Sequence, residues 1–250
     1  MNKYKKIVSI AATAVMCVAP MSVYAQEAQT DVIEAVAEKK QDTESSSVPV
    51  LQKEGIEISE GTGYDLSKEP GAATVKALEQ GTIVISYKTT SENAIQSLLS
   101  VGNGTKGNQD RHFHLYITNA GGVGMELRNT DGEFKYTLDC PAAVRGSYKG
   151  ERVSNTVALK ADKENKQYKL FANGELIATL DQEAFKFISD ITGVDNVMLG
   201  GTMRQGTVAY PFGGSIERMQ VYRDVLSDDE LIAVTGKTIY AENIFYAGDA

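Results

Sequence analysis

The strongest constraint on this chain is the rhythm of its middle: short runs of alternating apolar and polar residues, broken by Gly, Asn and Asp. Gly81–Thr89 sets Ile83, Ile85 and Tyr87 against Val84 and Ser86, and Ser97–Val101 is apolar enough for a buried strand. Arg111–Thr118 and Val123–Arg128 form a hairpin around Asn119-Ala120-Gly121-Gly122. Ile56–Ile58, Phe134–Leu138, Thr156–Ala161, Gln167–Ala172 and Glu175–Leu180 add further strands. Asn173-Gly174 is a two-residue turn signal, because both of its central positions take positive φ. Helical periodicity occurs only over Asp228–Val234, where Ser227 is placed to cap and Asp228, Asp229 and Glu230 suit the positive N-terminal end. Such a chain is all-β, a jelly-roll β-sandwich of two antiparallel sheets with one short helix.

The ends read differently. Residues 1–25 carry Lys3, Lys5 and Lys6, an apolar core from Ile7 to Met16, and Val23-Tyr24-Ala25 as a small-residue cleavage site, which predicts a secretory signal peptide and an exported, secreted or cell-surface protein. Residues 26–48 lack aromatics and are rich in Glu, Gln, Ala, Thr and Ser, the composition of a disordered linker. Residues 49–237 are the folded module, large enough for a core without covalent staples. Cys17 leaves with the signal peptide, so Cys140 has no partner for a disulfide within the chain and reads as a small buried hydrophobe. Removing three of the 25 basic side chains leaves 22 against 33 acidic ones, a net charge of −11. That surface repels nucleic-acid backbones.

Alternation assigns the faces. Phe113, Leu115 and Ile117 point one way, with Val123, Met125 and Leu127. His112, His114 and Tyr116 point the other way, with Gly124, Glu126 and Arg128. Only an odd loop keeps Glu126 and Arg128 out of the core. A loop of Ala120–Gly122 would set Tyr116 opposite Glu126 and His114 opposite Arg128. Thr202–Pro211, a polar loop at the sandwich rim, adds Arg204 and Tyr210. Two guanidiniums and a carboxylate suit an acidic sugar, since a guanidinium grips a carboxylate through two parallel hydrogen bonds. Sites for neutral glucans offer aromatic platforms instead, and this chain has no Trp.

The segments Phe171–Leu176 and Val197–Gly236 resemble the laminin-G/concanavalin-like sandwich. His112–Ile117, Gly121–Arg128, and Arg204 and Tyr210 ahead of Phe212–Ile216 resemble the family-40 sialic-acid-binding modules that precede bacterial sialidase propellers. The resemblance implies that Arg128 and Arg204 hold the sialic acid carboxylate and that Glu126 accepts from the sugar. It also implies that Tyr210 packs on the sugar and Ile95 covers the pocket; Tyr116 joins them by register alone. The implied protein is a monomeric, non-catalytic lectin with no cofactor and no metal. It binds terminal sialic acid of glycoproteins or mucins and targets an attached sialidase to them. Residues 238–250 resemble the opening strand of that catalytic domain, cut before its first catalytic arginine.

Two other readings remain open at this stage. The scaffold can bind another acidic glycan, a uronate or a sulfated chain. A sandwich glycoside hydrolase is the third, but it needs two carboxylates roughly 5–10 Å apart, and Glu126 has no carboxylate companion on its strand. Asp131-Gly132-Glu133 and Asp162–Asn165 are read as polar turns before calcium sites. His112 and His114 share a face without an evident third zinc ligand.

Overall fold

A computed structural model describes residues 47–90, 95–105, 107, 111–129, 133–140 and 154–236. The expected signal peptide, nearly all of the linker, Asp131-Gly132 and the segment 238–250 lie outside the described residues.

The strands are β1 (Leu51–Ile58), β2 (Tyr64–Asp65), β3 (Gly81–Thr89), β4 (Gln96–Gly102), β5 (His112–Ile117), β6 (Val123–Asn129), β7 (Phe134–Cys140), β8 (Asn155–Asp162), β9 (Gln167–Ala172), β10 (Glu175–Asp181), β11 (Asn196–Leu199), β12 (Thr202–Arg204), β13 (Thr207–Ala209) and β14 (Gly214–Tyr222). They form two six-stranded sheets and one hairpin. The first sheet runs β1-β14-β3-β8-β9-β10, the second β2-β11-β4-β5-β6-β7, and β12 pairs with β13. The all-β sandwich expected from the alternation is the observed architecture.

The inner faces meet over Ile83, Ile85, Tyr87, Val157 and Leu159 from the first sheet and Leu99, Phe113, Leu115, Met125 and Leu127 from the second, all fully buried. Each such large side chain contributes on the order of 2 kcal/mol by leaving water. Asn173 and Gly174 both hold positive φ, 49° and 89°, as the β9–β10 turn requires.

The outer face of the first sheet is covered by the helix over 228–236, where Leu231 and Leu226 pack on Val84, Ala158 and Phe171. Ser227 caps it as the sequence implied: the Glu230 amide donates to Ser227 Oγ at 3.2 Å, and the Ser227 amide donates back to the Glu230 carboxylate at 2.7 Å. Asp228 accepts from Lys160 at 2.8 Å and from Lys169 at 2.5 Å.

A second helix, Ala72–Lys76, was not foreseen. It is too short for a period to register, and its cap is Gly71 rather than a side-chain acceptor. Gly71 sits at φ 91°, and a Cβ there would lie 1.8 Å from the Val50 carbonyl oxygen, so the position demands glycine.

The β5–β6 hairpin corrects the expected register by two residues. His112 faces Arg128, His114 faces Glu126 and Tyr116 faces Gly124. The loop is odd, as the buried face required, but longer. The Thr118 amide donates to the Gly122 carbonyl and the Gly122 amide donates to Thr118 Oγ1, closing a five-residue loop from Thr118 to Gly122.

Candidate functional site

The outer face of the second sheet carries β5 and β6 side by side, with β4 and β7 flanking. From β4 come Ser97 and Ser100, three residues apart yet on one face. A bulge at Leu98 resets the alternation, so Ser97 lies opposite Tyr116 and Ser100 opposite His114. β7 supplies Lys135, Thr137 and Asp139, opposite Arg128, Glu126 and Gly124.

This face is not a solvated patch. His112, His114 and Tyr116 are 1%, 3% and 6% exposed. The β12–β13 hairpin packs over β4 and covers His114 through Thr202 and Tyr210. The sequence marks Thr202–Pro211 as a polar rim loop. The structure makes it a hairpin with a two-residue turn, Gln205 at φ 56° and Gly206 at φ 77°. Gly206 was the available signal; Gln205 concealed it, because Asn or Asp ordinarily precedes Gly in that turn.

The hairpin's base is fixed to the sheet. The Ser97 amide donates to the Tyr210 carbonyl at 2.9 Å and Ser100 Oγ donates to the Gly201 carbonyl at 2.8 Å. Thr202 Oγ1 shares hydrogen bonds with Ser97 Oγ at 3.1 Å and His114 Nδ1 at 3.3 Å. Tyr210 takes φ 53°, a left-handed backbone uncommon for a bulky side chain. Its ring lies 5.2 Å from the His114 ring, and its hydroxyl accepts from Arg204 Nη1 at 2.6 Å.

Glu126 anchors the sheet's share. His112 Nε2 lies 3.2 Å from its Oε1, Arg128 Nη1 3.5 Å from the same oxygen, and Lys135 Nζ 3.2 Å from Oε2. Burial alone would raise the carboxyl's pKa, but the hydrogen bonds from His112 and Lys135 and the charge of Arg128 outweigh it and hold the value down to about 2. Tyr116 donates its hydroxyl to Asp139, and burial together with that carboxylate pushes the phenol far up. Gly124 makes this reach possible: a Cβ there would meet Asp139 Oδ1 at 2.1 Å and the Tyr116 ring at 2.6 Å. Burial, and the charges of His112, Arg204 and Arg128, push His114 down to about 3, so it is neutral at physiological pH.

Of the six residues singled out from sequence, five gather here: Tyr116, Glu126 and Arg128 from the sheet, Arg204 and Tyr210 from the hairpin. Ile95 is half-buried where the chain enters β4, two residues before the Ser97 amide that holds Tyr210. Gln96 is structural, accepting from Thr89 Oγ1 at 2.6 Å. Sequence reasoning missed Lys135, which lies inside the expected strand Phe134–Leu138, and Asp139, one residue past it; the available signal is the alternation of Lys135, Thr137 and Asp139 with Phe134, Tyr136 and Leu138.

The histidines do have a third donor nearby. His112, His114 and Glu126 place their ligand atoms within 4.8 Å of one another. The same carboxylate is engaged by Arg128 at Oε1 and by Lys135 at Oε2. Asp162 is committed to its own turn, accepting from the Asn165 amide at 3.0 Å and side chain at 2.8 Å.

What the arrangement can do is bind an anion of defined shape. Arg128 stands beside the ionised Glu126 and Arg204 beside the Tyr210 phenol, on a backbone pinned in advance. Comparison with known proteins gives this geometry its context. The chain is 64% identical over 234 residues to the anhydrosialidase of Macrobdella decora, spanning 91% of itself but 31% of that protein. It is 99% identical to the solved Ruminococcus gnavus IT-sialidase CBM40 bound to α2,6-sialyllactose, with a TM-score of 0.74 over 76% of this chain and 100% of that one. The corresponding α2,3-sialyllactose complex is 96% identical, with a TM-score of 0.73 and the same coverage. Residues 26–238 match the family described as the sialidase N-terminal domain. This chain therefore belongs to the sialidase N-terminal domain family.

Proposed function

We propose that this chain binds terminal sialic acid on glycans without hydrolysing it, and holds an attached sialidase at sialylated, mucin-like surfaces. The observation that carries the reading is the presentation of two arginines from two separate elements beside one pair of buried imidazoles: Arg128 on the Glu126 that His112 holds, and Arg204 on the Tyr210 that lies against His114. Two guanidiniums so placed grip a carboxylate from two edges, while Glu126 accepts from the sugar's N–H or hydroxyl groups and Tyr116, Tyr210 and Ile95 enclose its apolar side. The two near-identical modules hold α2,6- and α2,3-sialyllactose, which share the terminal sugar and differ in its linkage. Recognition of the terminal sugar itself accounts for both. The relative named anhydrosialidase, of which this chain spans 31%, supports an attached catalytic domain. Clustered sialylated chains then raise retention by avidity.

Calorimetry of the purified chain with both sialyllactoses and with lactose is the test. Binding of the first two and not the third is expected, with no free sialic acid released. Equal affinity for lactose, or release of sialic acid, would overturn it. Export through cleavage after Ala25 belongs to the same proposal, and N-terminal sequencing of the secreted protein should begin at Gln26.

A further inference from the structure

We infer that His114 is a positioning residue: it is the pedestal that sets the hairpin's arginine and tyrosine against the sheet's arginine and glutamate. The inference rests on the sialic-acid reading above and adds a residue to which that reading gives no contact with the sugar.

The site is assembled from two pieces of backbone. Tyr116, Glu126 and Arg128 ride on β5 and β6; Arg204 and Tyr210 ride on β12 and the end of the hairpin. The main-chain bonds from Ser97 and the Ser100 hydroxyl pin the hairpin's base. They do not fix the height of its ligand-facing side chains above the sheet. His114 fills that gap. Its ring lies 4.5 Å from the Tyr116 ring at an interplanar angle of 33°, and 5.2 Å from the Tyr210 ring at 35°. It thus stands between one aromatic of the sheet and one of the hairpin. Its Nδ1 meets Thr202 Oγ1, at the head of the strand bearing Arg204. A T-shaped contact of 5.2 Å joins it to His112, which holds Glu126. Tyr116 and Tyr210 are therefore one contact from His114, Arg204 and Glu126 two, and Arg128 three.

The chemistry of the residue suits the place. A flat ring can lie against two aromatics at once, and a neutral one adds no charge beneath two arginines. A protonated ring there would repel Arg204 and Arg128.

Three variants of the whole chain test this: His114→Ala, His114→Leu, which fills the volume without a flat ring, and His114→Phe, which keeps the ring. Each is measured for sialyllactose affinity and, without ligand, for exchange of the Ser97 amide, whose bond to Tyr210 reports the hairpin's seating. Ala and Leu are expected to weaken binding tenfold or more and to speed Ser97 exchange by a similar factor. Phe is expected to return both to within about threefold of the parent. A folded His114→Leu with parental affinity overturns the inference, and so does a folded His114→Phe as weak as His114→Leu. If the parent itself fails to bind sialyllactose, the proposed function falls, while Ser97 exchange still decides whether His114 seats the hairpin.

Discussion

Both sheets of this sandwich turn an outer face toward a small covering element, and the two faces were finished in opposite ways. Over the first sheet Leu231 of the helix at 228–236 and Leu226 just ahead of it pack on Val84, Ala158 and Phe171, and Asp228 takes up Lys160 and Lys169. Apolar surface is covered by apolar surface, and the lysines meet carboxylate. Over the second sheet the β12–β13 hairpin covers imidazoles, hydroxyls and a carboxylate, and it brings a guanidinium of its own. Arg128 and Lys135 are gathered about Glu126, and Arg204 lies against Tyr210. The contrast teaches that burial alone does not make a site. The first cover is held by apolar packing; the second is held by hydrogen bonds and ring contacts among polar groups.

Four experiments would break or sharpen this contrast. The largest effect is expected from Arg128→Ala or Arg204→Ala. Truncating one partner of a charged pair costs roughly 2–5 kcal/mol of binding, to be read by calorimetry with sialyllactose. Either variant binding within about threefold of the parent would remove that arginine from the site. Next is Gly124→Ala, whose added methyl displaces Asp139 or the Tyr116 ring. Overpacking of this kind costs about 1–3 kcal/mol of stability, to be read from thermal or denaturant unfolding, and binding should fall with it. Unchanged stability and affinity would mean that Tyr116 does not need its reach to Asp139.

The third concerns acid. His114 is depressed from its ordinary value of 6.5 to about 3, so below pH 6.5 the unfolded chain takes up a proton that the folded one refuses. Its stabilising share is complete above pH 6.5 and is lost progressively down to about pH 3, at no more than about 1.4 kcal/mol per pH unit. Denaturant midpoints across this range should slope for the parent and flatten for His114→Phe; parallel slopes would show that the imidazole is not the group responsible. The smallest effect is expected on the finished face. Asp228→Asn weakens its bonds to Lys160 and Lys169, and partly exposed pairs of this kind are worth about 1 kcal/mol or less. Burial works against ionisation of Asp228, but its two lysines win and lower its pKa, so its contribution is present above the ordinary carboxylate value of 3.8 and is lost as pH falls below it. Sialyllactose affinity should not change. A change would couple the two faces and undo the comparison.

The sequence made the sheets legible because a period of two with a buried face leaves little freedom. Ile83, Ile85 and Tyr87 can point only one way, and so can Phe113, Leu115 and Ile117. It also made five of the six chosen residues meet, since Glu126 and Arg128 share a strand face and Arg204 lies near Tyr210 in the chain. What stayed hidden was set by backbone detail without a periodic signature. The Leu98 bulge brings Ser97 and Ser100 to one face, the length of the Thr118–Gly122 loop shifts the register by two, and the Gln205-Gly206 turn folds a polar stretch into a roof. The covering of His114 follows from that roof, which no local pattern in β5 announces.

That roof leaves and rejoins the sandwich at one spot, for the Phe212 amide donates to the Gly200 carbonyl at 3.0 Å. An excursion whose two ends are tied together is an interchangeable part. It can be rewritten in length and sequence while the chain on either side keeps its path, because closing a slightly different loop changes the free energy little. Residues 201–211 are thus where a lineage, or an engineer, could exchange this sandwich's taste for one acid sugar for another by grafting a single hairpin.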